Sequence, residues 1–577
     1  MAASLSSNKE LDLNSGKFGK MYNNLLSANS KKCIGWSIKL EKYLSSNQIG
    51  LIKINNENFK KVIGRIQKKY MKIIKKSKID NKFDVKNIEE QIIKYGDFKN
   101  YQQIHDDLEK KGINIKISYA YAMWQGVNLA RDYFIEKGMS EFEGFLLAST
   151  FDSWVSNKLK YELFSNIKNI YTKNFISRKV AIPDMRYRFD GIDDMVLLTS
   201  DRNDKKYGYI LNMLEYRSKL LNEMYNGKIK QILINFTLDE NIENGNRYLP
   251  QAKMITLANE HVNGGVTITG QNSNMYRKEE FNKVTTHELV HQVGAQISSS
   301  SYSDNITNIL KYKSSKKSYL LNETYVELLG NILHLIMLPI DTNGNQNIDS
   351  TIYFLEIERY WSLWQMAKIL NHFGFKNYYE FLSSDLCNSN IQRRSAIRKD
   401  IDCNTTSKLV ESTNVVSYYI NRAVIYCYLN EFLDEFKNYF SGTKFFVVDD
   451  NFSTIFENFV LNKLLNQNNL FADIINNLIK IVEKNENRIY NKSNEFNIYK
   501  SLRMTATERD FSVLNDIKVL VNKSSVGGKK NKKIRKHQGI VQMGGNVGRL
   551  RKGYRYSGKK LKSGLPQIIK CKLRKIR

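Results

Sequence analysis

Apolar residues recur every three or four positions along much of this chain, a spacing that predicts helices. In "NENFKKVIGRIQKKYMKIIKK" (56–76), one apolar stripe lies opposite a lysine-rich face and consists of Phe59, Val62, Ile63, Ile66, Tyr70 and Ile73. Helical patterns also fill 118–164, 204–227, 320–440 and 444–520. We interpret the lysine-rich face as a solvated surface, with nucleic-acid binding as the alternative.

Between these helical regions lie shorter segments with alternating or β-branched residues. Four of them are predicted to be extended: 178–189, 228–238, 252–261 and 264–270. A helix carrying "TTHELVHQVG" (285–294) follows the last of them. The pattern predicts an α+β fold that is predominantly helical, with one small mixed sheet.

Changes in pattern and composition divide the chain into five predicted parts. They are a polar, disordered N-terminus (1–35), a helical N-terminal domain (36–177), a central α+β domain (178–440), a helical C-terminal lobe (441–522) and a basic flexible tail (523–577). Hydrophobic residues make up 42% of the 577 residues, enough for real cores.

Composition also suggests a location for the protein. The N-terminus has neither the basic nor the apolar part of a signal peptide. The longest apolar run, 328–340, is too short and too polar to span a bilayer. The five scattered cysteines form no CxxC pair and are expected to be free thiols in a reducing compartment. We therefore expect an intracellular, non-secreted protein without a membrane span.

Two of the seven histidines lie in "TTHELVHQVG", with a glutamate between them. On a helix, His287 and His291 lie one turn apart on the same face, so both imidazoles can bind one ion. Glu288 lies about 100° further round the helix, where its carboxylate can take a proton from a zinc-activated water. Gly294 is expected on the histidine face, where a small residue leaves room. The motif predicts a Zn²⁺ site; histidines that merely pack are the alternative.

Two histidines need a third protein ligand, because catalytic zinc has three protein ligands and one open position. Three residues after Gly294 the chain has Ile297, which cannot bind zinc. The apolar segment 319–338 instead carries a narrow polar stripe, formed by Glu323, Glu327, Asn331 and His334. Buried carboxylates are costly unless they are paired or bind a metal. Glu323 is therefore the predicted third ligand.

The remaining polar residues of this helix have other expected roles. Glu327 can accept a hydrogen bond from the second ring nitrogen of a ligand histidine, and Asn322 can orient the other histidine. His334 lies about 16 Å along the helix axis from Glu323, too far to bind the same ion.

The motifs "HELVH" and "NETYVE" together resemble the gluzincin metallopeptidases, among them thermolysin and the lethal-factor-like peptidases. The resemblance is at motif level and covers about residues 180–340. It implies a zincin-like domain whose zinc ligands are His287, His291 and Glu323. Glu288 would be the general base that also passes a proton to the leaving amine.

The resemblance also implies a substrate and a way to bind it. The strand in "GGVTITG" (264–270) would be the edge strand on which the backbone of a peptide or protein substrate pairs. Asn322 and Glu327 match positions that support the ligands. Because no GxMEN-like motif is visible, an endopeptidase is favoured over an aminopeptidase.

Two departures from the gluzincin pattern matter. The polar insert 298–318 makes the spacing between His291 and Glu323 longer than in thermolysin, and it is expected to be a surface loop. The tyrosine or histidine that stabilises the oxyanion cannot be assigned from the pattern. Four tyrosines are candidates: Tyr312, Tyr319, Tyr418 and Tyr419.

The basic tail carries 19 lysines and arginines and no acid, which leaves +12 of the net charge of +31 for the rest of the chain. Its last part, "YRYSGKKLKSGLPQIIKCK", resembles terminal segments of proteins of giant nucleocytoplasmic DNA viruses.

The tail is open to three interpretations: a solvated arm, a contact with nucleic acid or another polyanion, or an address to a virion. The alternative to a peptidase is accordingly a structural or nucleic-acid-binding protein of a viral particle, with a vestigial or structural zinc site. Its expected location is the virion or the host cytoplasm.

Overall fold

A computed structural model gives the fold of this chain. It describes residues 22, 25–77, 183–189, 192–198, 204–227, 229–235, 247–268, 272–275, 277, 279–295, 297, 304–314, 321–392, 401–440, 442, 450–465, 470–489, 496–510, 517–527, 534–537, 540–543, 554–560 and 566–570. The helices predicted in 118–164 lie outside the described residues, as do Tyr319 and Cys571.

Five strands form one mixed sheet in the order β1-β2-β3-β5-β4. Their bounds are β1 (Pro183–Phe189), β2 (Ile192–Leu198), β3 (Ile229–Asn235), β4 (Gly265–Ile268) and β5 (Asn272–Met275). The three central strands are parallel, and β1 and β4 pair antiparallel at the two edges. Among the described strands, β4 is thus at one end of the sheet, as predicted for the strand in 264–270, while pairing with a substrate stays a prediction.

Helices make up most of the described structure, which confirms the predominantly helical α+β class. Their bounds are α1 (Ala28–Ser46), α2 (Glu57–Lys76), α3 (Asp204–Tyr225), α4 (Asn259–Val262), α5 (Phe281–Gln292), α6 (Asp304–Asn308), α7 (Leu321–Asn343), α8 (Ile348–His372), α9 (Tyr378–Phe381), α10 (Ser384–Gln392), α11 (Arg422–Cys427), α12 (Leu429–Glu435), α13 (Asp450–Leu465), α14 (Leu470–Glu483), α15 (Glu486–Ile489) and α16 (Ile517–Gly527). A π-helix (Val416–Asn421) precedes α11, and a 3₁₀-helix (Lys437–Tyr439) follows α12.

Helix α7 lies at the centre of the hydrophobic core, and it packs against α2, α5 and α8. The six apolar residues of the stripe on α2 are all buried. Helices α1 and α14 both pack against α8. In the described part of the chain, helices of the predicted N-terminal domain and C-terminal lobe therefore share one core with the predicted central domain.

Two predictions between β3 and α7 are wrong. Segment 252–261 is a turn followed by the start of α4, in which Met254 is left-handed with φ +63° and Leu257 is buried as a core residue. The described residues of the insert 298–318 are more than a surface loop. They form α6 and the strand β6 (Tyr312–Ser314), which pairs parallel with β7 (Leu409–Glu411). Ile306 and Leu310 of the same insert are buried.

The cysteine prediction is wrong for one pair, because Cys387 and Cys403 form a disulfide. The Ser384 hydroxyl donates a hydrogen bond to the Cys403 carbonyl at 3.0 Å and holds the two segments together. Sequence spacing cannot show such an approach. Because disulfides are typical of oxidising surroundings, cysteine usage no longer argues for a reducing compartment. Cys33 and Cys427 are free and buried.

The ends of the described chain are more regular than predicted. Helix α1 begins at Ala28, inside the predicted N-terminal disorder, and Ser27 caps it by accepting from the Ser30 N–H at 3.1 Å. Strands β8 (Ile534–His537) and β9 (Ile540–Met543) form one antiparallel hairpin in the predicted flexible tail, and β10 (Tyr554–Lys560) and β11 (Pro566–Lys570) form another. Across the described residues, the helices are too short or too polar to cross a bilayer.

Candidate metal centre

Helix α5 carries the two motif histidines, and all twelve of its residues are buried. It ends at Gln292, so Gly294 lies beyond the helix with a left-handed φ of +67°. The Gly294 N–H donates to the His291 carbonyl at 3.1 Å. A Cβ added at Gly294 would meet no atom within 4 Å. Gly294 therefore serves to end the helix, and the expected role of leaving room on the histidine face is wrong.

The two histidines and Glu323 of α7 converge on one point. The Glu323 Oε2 atom lies 3.7 Å from His287 Nε2 and 3.6 Å from His291 Nε2. All three ligand atoms lie within 4.8 Å of one another. Ligand atoms around a tetrahedral zinc ion are about 3.4 Å apart, which is close to the two distances between Glu323 and the histidines. Within the described residues the group could supply three protein ligands, the number typical of a catalytic zinc site.

Gly330 allows α7 to lie against α5. A Cβ at this position would be 2.9 Å from the Cα of His287 and 3.2 Å from its backbone nitrogen. Glu323 lies seven residues earlier and so projects from the same face of α7. The close approach of the two helices at Gly330 therefore brings the Glu323 carboxylate within reach of both histidines.

The Glu327 carboxylate lies behind His287 and is fully buried, with its Oε2 atom 3.1 Å from His287 Nδ1. It also pairs with Lys283 and accepts a hydrogen bond from Arg422 Nη1 at 2.6 Å. Glu327 therefore lies beside the second ring nitrogen of His287, and its role as a hydrogen-bond acceptor that orients this ring stays a prediction. The sequence interpretation missed both cations. Lys283 could have been found, because it lies one turn before His287.

Two further residues of α7 have defined partners. The Asn322 Oδ1 atom accepts a hydrogen bond from the Ile297 N–H at 3.1 Å, so Asn322 holds the chain that follows α5. His334 Nε2 lies 2.9 Å from the Thr507 carbonyl oxygen. His334 is not a member of the described metal-binding group, in agreement with its distance along the helix.

Glu288 is also buried, and it is linked to the edge strand β4. Its Oε2 atom accepts a hydrogen bond from the Thr267 hydroxyl at 2.7 Å. The same hydroxyl lies 2.7 Å from that of Ser273 on β5. The sequence interpretation missed Thr267, although it lies in the predicted strand. The bond ties the Glu288 carboxylate to the edge strand β4.

One of the four candidate tyrosines borders the metal-binding group. The Tyr418 hydroxyl donates to Glu323 Oε2 at 2.9 Å, and its ring meets that of His287 edge-on at 5.8 Å. It lies in the π-helix, a distortion often found at functional sites. Tyr419 instead donates to the Leu502 carbonyl at 2.6 Å, and Tyr312 donates to Glu411 at 2.5 Å.

The ionisation of the ligand residues follows from their pairing. Burial lowers the pKa of His287, but the nearby Glu323 and Glu327 carboxylates outweigh burial and raise it to about 9. The pKa of His291 is also raised, because Glu323 outweighs burial. Burial raises the pKa of Glu323, but the two histidines hold it well below its usual range. A metal ion that binds here must displace the imidazole protons.

Comparisons with models of protein families, with curated proteins and with solved structures give no match. The resemblance to the gluzincins therefore rests on the two sequence motifs alone.

Proposed function

We propose that this chain is a zinc-dependent metallopeptidase of gluzincin type, with a zincin-like domain that cleaves within peptide chains. The observation that carries the proposal is the convergence of the His287, His291 and Glu323 ligand atoms. Two imidazole nitrogens and one carboxylate oxygen are a donor set that zinc accepts. A zinc ion would supply Lewis-acid activation of water and of the scissile carbonyl.

The residues around the ligands have defined tasks in this proposal. Glu288 takes a proton from the attacking water and passes it to the leaving amine nitrogen. Thr267 orients the Glu288 carboxylate through the hydrogen bond at 2.7 Å. Strand β4, the last strand on its side of the sheet, pairs with the substrate backbone. The Tyr418 hydroxyl donates to the carbonyl oxygen as negative charge develops on it.

The number of ligands favours this proposal over its rival. A structural or nucleic-acid-binding particle protein with a structural zinc site would be expected to surround the ion with four protein ligands. The group found among the described residues has three. As far as the described residues show, the fourth position of a tetrahedral site is left for water or substrate.

Glu288→Gln tests the proposal because it removes the base and keeps the ligands. We expect the variant to retain one zinc per chain, measured by metal analysis, and to lose cleavage of a peptide library by at least about 100-fold. The same substitution at the exposed Glu483 should change neither property. Cleavage by Glu288→Gln at the wild-type rate, or cleavage that persists under a chelator, would refute the peptidase mechanism.

A further inference from the structure

Helices α2 and α3 border an open cavity of about 950 Å³, remote in sequence from the metal ligands. Six cationic side chains line it, five from α2 and one from α3: Arg65, Lys68, Lys69, Lys72, Lys76 and Lys219. Within its described lining, Glu223 is the one acidic side chain. The cavity therefore concentrates positive charge on a concave surface.

Two of the six cations are paired with described carboxylates, and four are not. Lys69 lies 3.2 Å from Glu223, and Lys219 pairs with Glu215. Over the residues that the structure describes, no ion pair involves the other four: Arg65, Lys68, Lys72 and Lys76. Three of these are lysines spaced i, i+4, and like charges at this spacing destabilise a helix. A concave wall also focuses their field more than a convex, solvated face would.

The arrangement of the four cations is linear. Arg65 and Lys76 are eleven residues apart, about 16 Å along the helix axis. One strand of a nucleic-acid duplex carries a phosphate about every 3.4 Å of axis, so the row matches roughly five nucleotides. A compact polyphosphate would leave part of such a row unfilled.

Two kinds of side chain that contact bases are missing from the described lining of the cavity. Its described lining contains neither an aromatic ring for base stacking nor an Asn or Gln amide that could pair with a base edge. Contacts limited to phosphate fix position without reading sequence. We propose that this cavity binds the phosphodiester backbone of double-stranded nucleic acid independently of sequence.

The test is duplex binding by the full chain, with the basic tail present in every variant. The test variant replaces Arg65, Lys68, Lys72 and Lys76 with Gln. The matched control replaces four exposed lysines on other surfaces with Gln and so loses the same charge: Lys32, Lys376, Lys408 and Lys484. Binding of a labelled 20-base-pair DNA is titrated between 50 and 200 mM salt, with two unrelated duplex sequences.

We expect the test variant to bind the duplex at least about tenfold more weakly than the wild type at 50 mM salt. The slope of log K against log salt concentration should be smaller in magnitude by about 3–4. The control should stay close to wild type, and the two duplexes should bind equally. Should the test variant melt at a lower temperature than the control, the double variants Arg65→Gln/Lys68→Gln and Lys72→Gln/Lys76→Gln replace it. Each should show about half of the change in slope.

Three results would overturn the proposal. The test variant and the control could lose equal affinity, or neither could lose any, and the tail or general charge would then account for binding. The two duplexes could differ in affinity by more than a few fold, which would indicate base readout. Inorganic tripolyphosphate could displace the duplex when its concentration of negative charges is equal to or lower than that of the duplex phosphates. That result would identify a site for compact anions.

Discussion

Pairing between buried charged side chains holds the residues of the candidate site in position. Glu327 is shared by Lys283, Arg422 and His287, and both cations are fully buried with it. Removal of one partner from such a group leaves an uncompensated charge and typically costs about 3–5 kcal/mol. The carboxylate therefore has a structural task, to neutralise two cations, and a proposed functional one, to orient His287.

Tyr418→Phe tests the assignment of the oxyanion-stabilising residue. The change removes a hydroxyl that lies 2.9 Å from Glu323 Oε2 and leaves the ligands in place. We expect kcat for peptide cleavage to fall by about 100-fold or more, with KM and zinc content nearly unchanged. Steady-state kinetics and metal analysis measure these quantities.

Tyr419→Phe is the matched control, since the Tyr419 hydroxyl donates to the Leu502 carbonyl rather than to a ligand residue. This variant should lose about 1 kcal/mol of stability and keep its kcat. Equal losses of kcat in the two variants would show that neither tyrosine has a special role in catalysis.

The sequence could predict part of this site for a physical reason. A narrow polar stripe on an otherwise apolar helix needs partners, and this requirement alone singles out both Glu323 and Glu327. The partners themselves could not be predicted in the same way. Arg422 lies 95 residues beyond Glu327 and reaches it only through the packing of α11. The sequence could not show which of the adjacent residues Tyr418 and Tyr419 faces the site. The backbone conformation decides the direction of each side chain, and the local pattern does not reveal it.

At the scale of elements, the geometry depends on how closely α7 approaches α5. Gly330→Ala would place a methyl group 2.9 Å from the His287 Cα, and that neighbour is backbone, so it cannot simply rotate away. We expect the free energy of unfolding to fall by about 1–3 kcal/mol, and zinc affinity to fall as Glu323 moves away from the histidines. Chemical denaturation and zinc titration measure the two effects.

Gly64→Ala on α2 is the matched control, because it is also a glycine-to-alanine change inside a helix. Its nearest neighbour would be the end of the Ile348 side chain, at 3.1 Å, which can move. The gain in helix propensity, up to about 1 kcal/mol, should offset the crowding, and zinc affinity should not change. Gly330→Ala with wild-type stability and zinc affinity would mean that the two helices can separate freely.

Helices and strands could be predicted from the sequence where their hydrophobic pattern extends over enough residues. Helices α2 and α3 show their period over about 20 residues, and β3 shows alternation and β-branched residues. Strand β5 has the four residues "NSNM", without an apolar pattern, and it is central in the sheet because β3 and β4 pair with it on both sides. Such a strand is defined by its neighbours, which a local pattern does not contain.

At the scale of the whole molecule, the segment 496–510 connects distant parts of the fold to the site. Glu508 pairs with the Asn282 amide of α5, 226 residues away in the chain, and accepts from the Lys283 N–H at 3.3 Å. The Thr505 hydroxyl donates to Glu358 of α8 at 2.5 Å. Burial raises the pKa of Glu508 to about 7. The helix that carries both histidines is thus supported by residues that the sequence pattern assigns to a separate lobe.

The coupling of metal binding to stability can be tested through pH. In the metal-free protein the pKa of His287 is raised to about 9, above its usual value in an unfolded chain. Its pairing therefore stabilises the fold below about pH 6.5, and this contribution is lost as pH rises through about 9. Zinc needs the neutral ring, so its affinity should rise over the same range, by up to about tenfold per pH unit for each proton displaced.

The measurement is the melting temperature with excess zinc minus that with a chelator, taken between pH 6 and pH 9. We expect this difference to increase with pH, because the metal-free state loses the His287 pairing while zinc meets less competition from protons. Glu288→Gln keeps all three ligands and should show the same dependence. His287→Ala should show a difference near zero at every pH. A difference that is constant or falls with rising pH in the wild type would contradict proton displacement from His287, and with it the assignment of this residue as a ligand.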